Sequence, residues 1–259
     1  MKNKFLGLVL FLFTTVLFAQ VAVVKNDKGM KLIVDGKDFM INGMNWDYFP
    51  IGTNYSYSLW KQSDDVIKAA LDSEMSLLKN MGVNVIRQYT GVQPRWIQYI
   101  YENYGIYTML NHPFGRYGLT INGAWEAVTD YRDPATQEIL LSEAADMAKL
   151  YKNTPGVLLF LLGNENNYGL FWAGAETEDF PDEADKQREV GEKRGRPMYK
   201  LMNDAAVKMK SIDTSKPVGI CNGDVLFIDI IAEECKDVDI YGVNMYRGVS
   251  FGDAFQTVK

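Results

Sequence analysis

Beyond residue 20 the spacing of apolar positions changes several times along the chain, and each change marks an element. Lys31-Leu32-Ile33-Val34 and Phe39-Met40-Ile41 flank Asp35-Gly36-Lys37, a turn signal that predicts a hairpin. From Asp64 to Met81 apolar residues recur at helical spacing, at Val66, Ile67, Ala70, Leu71, Met75, Leu77 and Leu78. Ser63 suits an N-cap and Gly82 a stop, so this segment is a helix. Val83 to Arg87 then reads as a strand, Pro94 to Tyr104 as a helix closed by Gly105, and Ile106 to Leu110 as a strand. Asp133-Pro134 opens a helix reaching Lys152, with Asp as cap and Pro in its first turn.

Val157 to Leu162 is unbroken in its apolarity, as a strand covered on both faces should be. A helix at Pro197 to Lys210, a strand at Pro217 to Cys221, a short helix at Leu226 to Cys235 and a strand at Val238 to Val243 follow. Strands alternating with helices predict an α/β fold with a parallel sheet of βαβ units. Ligands of such sheets gather at the C-terminal ends of the strands. Those ends carry Asn45-Trp46-Asp47, Arg87-Gln88-Tyr89, Asn111-His112-Pro113, Gly163-Asn164-Glu165-Asn166, Asn222-Gly223-Asp224 and Asn244-Met245-Tyr246-Arg247. The glycine-rich turn of a doubly wound nucleotide-binding sheet is missing after the first strand.

The N-terminus follows a different pattern. A basic start, Met1-Lys2-Asn3-Lys4, precedes an apolar run from Phe5 to Phe18 and then Ala19-Gln20, the layout of a secretory signal peptide. The run is shorter than the roughly 20 residues that span a bilayer, which weighs against an uncleaved anchor. The expected organisation is a signal peptide over 1–19 and one domain over 20–259, secreted or periplasmic, with no membrane attachment after cleavage. The net charge of -6 argues against nucleic acid. Cys221 and Cys235 are expected to be free, and His112, the single histidine, belongs to no metal-binding cluster. Aromatic residues make up 13% of the chain, which suits either sugar stacking or core filling.

Glu165 is the sharpest chemical signal. It follows the apolar run, so its carboxyl group stands at the rim of a low-dielectric interior, where partial desolvation favours the protonated form that a glycosidic general acid needs. Asn164 beside it can both donate to and accept from a sugar hydroxyl. Position alone suits a rim carboxylate paired with Arg87 equally well. Trp172 and Phe171 follow in a long loop to about Gly195, as a sugar platform or as that loop's own small core. The charged run from Glu176 to Arg194 reads as solvated surface.

The stretch from Asn153 to Glu165, ending Leu161-Leu162-Gly163-Asn164-Glu165, resembles the fourth strand of clan A glycoside hydrolases. The nearest patterns are the family 2 barrel domain and the family 72 β-1,3-glucanosyltransferases. Gly82 to Arg87 is similar to their second strand, Asp239 to Tyr246 to their sixth, and Phe39 to Asn45 to the approach to their first. Asn111 to Arg116 matches neither family closely. The resemblance implies a TIM (β/α)8-type barrel, incomplete at about six βα units, with an N-terminal β-hairpin. It further implies a retaining glycosidase or transglycosylase acting on a β-linked polysaccharide or oligosaccharide, with no metal or organic cofactor. Glu165 is then the acid/base. Asn164, Arg87, Tyr246, Asn244, His112, Trp46 and Trp172 are the expected substrate-side residues. The clan's nucleophile is a Glu ending strand seven, whereas this chain stops at Lys259, and Glu233 and Glu234 lie on a helix in the wrong place for that role. A non-catalytic glycan-binding barrel and an unrelated exported α/β protein remain as alternatives.

Overall fold

The computed structural model describes residues 20–27, 29–54, 56–89, 91–172 and 181–258. The signal peptide expected over 1–19 lies outside them, as does the part of the charged run between 176 and 180.

The chain opens with three short antiparallel strands, β1 (Val21–Asn26), β2 (Gly29–Val34) and β3 (Lys37–Asp38). Asp35 and Gly36 both have positive φ, 49° and 77°, as a two-residue turn matched to strand twist requires. The second arm is shorter than expected. Phe39 N–H still donates to Leu32 O, after which the chain leaves the hairpin. Asn84 then holds the departing segment, donating from its side chain to Met40 O and accepting from Asn42 N–H.

Six parallel strands follow: β4 (Gly43–Asn45), β5 (Val85–Tyr89), β6 (Tyr107–His112), and, beyond a small hairpin of β7 (Leu119–Ile121) and β8 (Ala124–Glu126), β9 (Val157–Leu162), β10 (Val218–Gly223) and β11 (Ile240–Asn244). Their order is β4-β5-β6-β9-β10-β11, each paired to the next in parallel. The sheet is an incomplete TIM barrel, with β4 and β11 at its two edges. Helices α1 (Asp64–Asn80), α2 (Pro94–Tyr104) and α3 (Pro134–Tyr151) cover its convex face. They are joined there by α6 (Arg196–Ile212) and α7 (Ile228–Glu234), while α4 (Asn166–Gly169) follows the end of β9, α5 (Ala184–Val190) precedes α6 without burying a side chain, and α8 (Ala254–Val258) comes last.

Several strands are displaced from their expected bounds, and each displacement has a local cause. Gly82, at φ 82°, closes α1 while Val83 N–H bonds back to Leu78 O, so β5 begins only at Val85. Strand β6 extends through Asn111 and His112, and β10 through Asn222 and Gly223, so these polar residues sit inside the sheet. Asp133 caps α3 as expected, accepting from Thr136 N–H at 2.8 Å. The segment 184–195, expected as loop, is helical: α5 runs into a π-helical turn at Gly191–Gly195 and then into α6.

Two cores hold the layers together. One lies between sheet and helices and takes Ile86, Leu110, Phe160, Leu162 and Ile220 from the strands. The other joins the N-terminal hairpin to the barrel strands, Val21 and Val34 meeting Val85, Tyr107, Leu159 and Leu161. β9 contributes to both, which is why its six residues are apolar without interruption.

Candidate active site

The site is built at the turn that ends β9. Gly163 adopts φ 76°, and Glu165 itself is left-handed at φ 57°, ψ 35°, a conformation costing a residue with a Cβ about 1 kcal/mol. Bonds on both sides fix this turn. Glu165 N–H donates to Cys221 O on β10 at 2.9 Å. Asn166, buried, accepts from Asn164 N–H at 2.8 Å and donates to Phe114 O at 2.8 Å and to the Tyr131 hydroxyl at 3.0 Å. Asn167 exchanges two bonds with the Gly223 backbone, 2.8 and 2.9 Å. The half-buried Glu165 side chain is thereby held between the ends of β6 and β10.

Around it lies one connected polar group. Asn244, the last residue of β11, donates from Nδ2 to Glu165 Oε1 at 2.9 Å and to Asn164 Oδ1 at 3.1 Å. Asn164 Oδ1 also accepts from Arg87 Nη2 at 2.9 Å. Arg87 Nε donates to Asn111 Oδ1 at 2.9 Å. Arg87 is 8% exposed and its guanidinium bonds to Asn111 and Asn164 but forms no ion pair among the described residues, so the expected alternative of a Glu165–Arg87 salt bridge is not formed. Burial pushes the Cys221 thiol up from its ordinary value, Arg87 acting against this and Glu165 with it. Both cysteines are free. Arg87, Cys221 and Asn244 border a cavity of about 460 Å³ on the concave face, floored by Met109, Leu159 and Leu161.

Other expected residues fall elsewhere. His112 points outward from β6: its Nδ1 accepts from Phe114 N–H at 3.1 Å and its Nε2 lies 3.2 Å from Glu143 on α3, so it does not line the cleft. Alternation along the strand causes this, because Asn111 takes the inward direction. Trp46 is buried beside Trp60 at 6.2 Å, and Trp172 is buried with the Arg116 guanidinium 4.0 Å from its ring centre, bordering a separate cavity with Phe171 and Arg132 rather than the cleft at Glu165. Tyr246, two residues past β11, is 83% exposed and bonds neither to Glu165 nor to Arg87. Glu233 and Glu234 both pair with Arg196 and stand away from the rim.

Sequence reasoning missed the turn-holding roles of Asn166 and Asn167, since their bonds reach 52 to 56 residues along the chain. Among the aromatic side chains exposed at this end, it placed Tyr89 at a strand end without giving it a role and passed over Tyr117 and Trp125. The signal for the last was present: Asn122-Gly123 between alternating residues marks the β7–β8 hairpin, with positive φ at both positions.

The arrangement can transfer a proton. Asn244 holds one carboxylate oxygen of Glu165, while Oε2 and Asn164 Nδ2 have no partner among the described residues. Among the described residues no three His, Cys, Asp or Glu side chains are grouped to hold a metal ion.

A parallel barrel sheet with an Asn-Glu pair ending its fourth strand defines the class of clan A glycoside hydrolases. Residues 24–250 match the family model described as glycosyl hydrolases family 2, TIM barrel domain, and the chain belongs to that family. No curated protein matches it. Solved structures share the fold. A Parabacteroides merdae β-glucuronidase superposes with TM-score 0.58 at 20% identity, over 91% of this chain and 24% of its own. Bacteroides uniformis β-glucuronidase 2, covalently bound to cyclophellitol-6-carboxylate aziridine, gives 0.60 at 15%, over 89% and 23%. A β-mannanase from the blue mussel Mytilus edulis gives 0.60 at 13%, over 93% and 78%. The chain thus spans about a quarter of the length of the β-glucuronidases it matches.

Proposed function

We propose that this chain carries the acid/base half of a retaining glycosidase or transglycosylase that acts on a β-linked glycan outside the cytoplasm. The observation that carries the reading is the Glu165 carboxylate, held by Asn244 at 2.9 Å and flanked by Asn164 and the buried Arg87. In the complete enzyme Glu165 protonates the departing glycosidic oxygen while a second carboxylate attacks the anomeric carbon. Glu165 then takes a proton from water, or from an acceptor sugar, as that oxygen displaces the enzyme carboxylate. Asn164 Nδ2 donates to the sugar's 2-hydroxyl.

Arg87 bears on the second carboxylate. A buried guanidinium surrounded by neutral amides is costly unless an anion joins it. The nucleophilic Glu expected at the end of strand seven supplies that charge, and Arg87 keeps it ionised. Asp224, the acid nearest along β10, is already paired with Arg247. The Bacteroides uniformis structure is of a β-glucuronidase with a covalent adduct; the reading for this chain likewise involves a covalent glycosyl-enzyme. Export rests on the basic start, apolar run and Ala19 of the first twenty residues. N-terminal sequencing of the mature protein tests it: a start near Gln20 supports export, and an intact Met1 in the cytosolic fraction contradicts it. Catalysis is tested by Glu165→Gln in the full-length enzyme: a loss of about 10²–10⁴-fold on an unactivated glycan supports it, and equal activity contradicts it.

A further inference from the structure

The loop between β6 and α3 makes an excursion that the barrel itself does not require. It carries the β7–β8 hairpin and two large aromatic side chains that stay in solvent, Tyr117 at 48% and Trp125 at 62% exposed. Their placement is fixed. The Arg116 guanidinium lies 5.4 Å from the Tyr117 ring centre and 4.0 Å from that of Trp172, so Tyr117 is backed by a stacked cation over a buried indole. The Trp125 ring packs directly over Gly118, where any Cβ would come within 2.6 Å of it. At its base the excursion is tied by Thr129 Oγ1 to Gly115 O at 2.6 Å and by the Tyr131 hydroxyl to Phe114 O at 2.9 Å. Asn166, the neighbour of Glu165, donates to that same Phe114 oxygen and to Tyr131. Hairpin and acid/base turn therefore form one rigid piece. Tyr89, ending β5 with the Arg87 guanidinium 5.6 Å from its ring centre, extends the row toward the polar centre.

Direction follows from in-line displacement. If the nucleophile stands beyond β11, the leaving group departs toward the opposite side of Glu165, where β5, β6 and the hairpin lie. Exposed aromatic faces on that side suit the C–H faces of pyranose rings. We propose that Tyr89, Tyr117 and Trp125 form a stacking wall for the leaving-group portion of a β-linked oligosaccharide, so that the enzyme acts on chains rather than on single-sugar glycosides. This rests on the catalytic reading of Glu165, but its test does not require turnover.

The full-length protein is run in native gels containing soluble β-1,3-glucan, β-1,4-glucan or β-1,4-mannan. Retardation by at least one polymer is expected, with affinity about tenfold weaker in both Tyr117→Ala and Trp125→Ala, a loss of about 1.4 kcal/mol each. Trp125→Phe should retain most of the affinity, and Phe255→Ala, an exposed aromatic on α8, should leave it unchanged. A parent protein unretarded by all three polymers, or alanine variants retarded like the parent, overturns the wall. Release of reducing sugar from the unactivated polymers by the parent and Glu165→Ala reports separately on catalysis. Turnover abolished by Glu165→Ala alongside unaltered polymer binding in the wall variants would sink the wall and spare the catalytic reading. Weakened binding in those variants alongside Glu165-independent turnover would do the reverse.

Discussion

Glu165 holds a left-handed backbone because its neighbours leave it no alternative. The side chains of Asn166 and Asn167 bond away from the turn in opposite directions, to the loop after β6 and to the end of β10. Removing Asn166 would take the acceptor from the Asn164 N–H and one of two donors from the buried Phe114 carbonyl, which keeps the Tyr131 hydroxyl. Asn166→Ala is accordingly expected to lower stability by about 2–3 kcal/mol in urea titration and to reduce activity as well. An unchanged unfolding midpoint would show that the turn is held by other means. At this scale the sequence was legible where chemistry coincides with a local pattern: Glu165 stands out because an apolar run delivers it to a rim. His112 and Trp46 were misplaced for the converse reason. Strand parity decides whether a side chain faces cleft or helices, and shifting a boundary by one residue reverses it.

Among the elements, β9 is the clearest case. Its expected and observed bounds coincide, since burial on both faces leaves no position at which a polar residue could blur the ends. Strands β6 and β10 ran further than their apolar stretches because Asn111 and Asn222, each one residue before the strand's end, are buried amides satisfied by Arg87 and by Tyr199. Gly163 links β9 to the turn that carries Glu165. A Cβ there, at φ 76°, would meet Asn166 Oδ1 at 2.6 Å and Met202 Cε at 2.9 Å. Gly163→Ala is therefore predicted to cost more than about 1 kcal/mol through backbone strain alone, and to lower kcat by displacing Glu165. Thermal unfolding together with steady-state kinetics checks this. A variant with parental Tm and kcat would show that the turn tolerates the shift.

For the molecule as a whole, the barrel architecture was legible because βαβ alternation leaves few topologies, whereas the network tying its polar centre together was not. The base of the barrel holds a buried ion pair, Lys216 Nζ to Asp213 Oδ2 at 2.9 Å, with Lys216 also donating to Lys152 O. Burial raises the Asp213 carboxyl, but bonds from Ser215 and Lys216 outweigh this and bring it below its ordinary 3.8. A depressed carboxyl stabilises the fold above its unfolded value and loses that contribution as pH falls through the folded one. Asp213→Ala should thus destabilise by about 3–5 kcal/mol at neutral pH, by stranding the lysine charge. The difference from the parent should shrink in urea titrations carried below pH 3.8; a pH-independent difference would refute the linkage. On the same scale, a retaining mechanism needs two carboxyl groups about 5–5.5 Å apart, and Glu165 has no such partner identified among the described residues. The account stands most directly on Glu165 in the full-length enzyme. The decisive measurement compares parent and Glu165→Gln on a series of aryl β-glycosides of graded leaving-group acidity and on an unactivated glycan. The account predicts a loss of about 10²–10⁴-fold on the unactivated glycan, shrinking toward none in the glycosylation step as the leaving group improves. Equal activity of the two proteins on the unactivated glycan would contradict it.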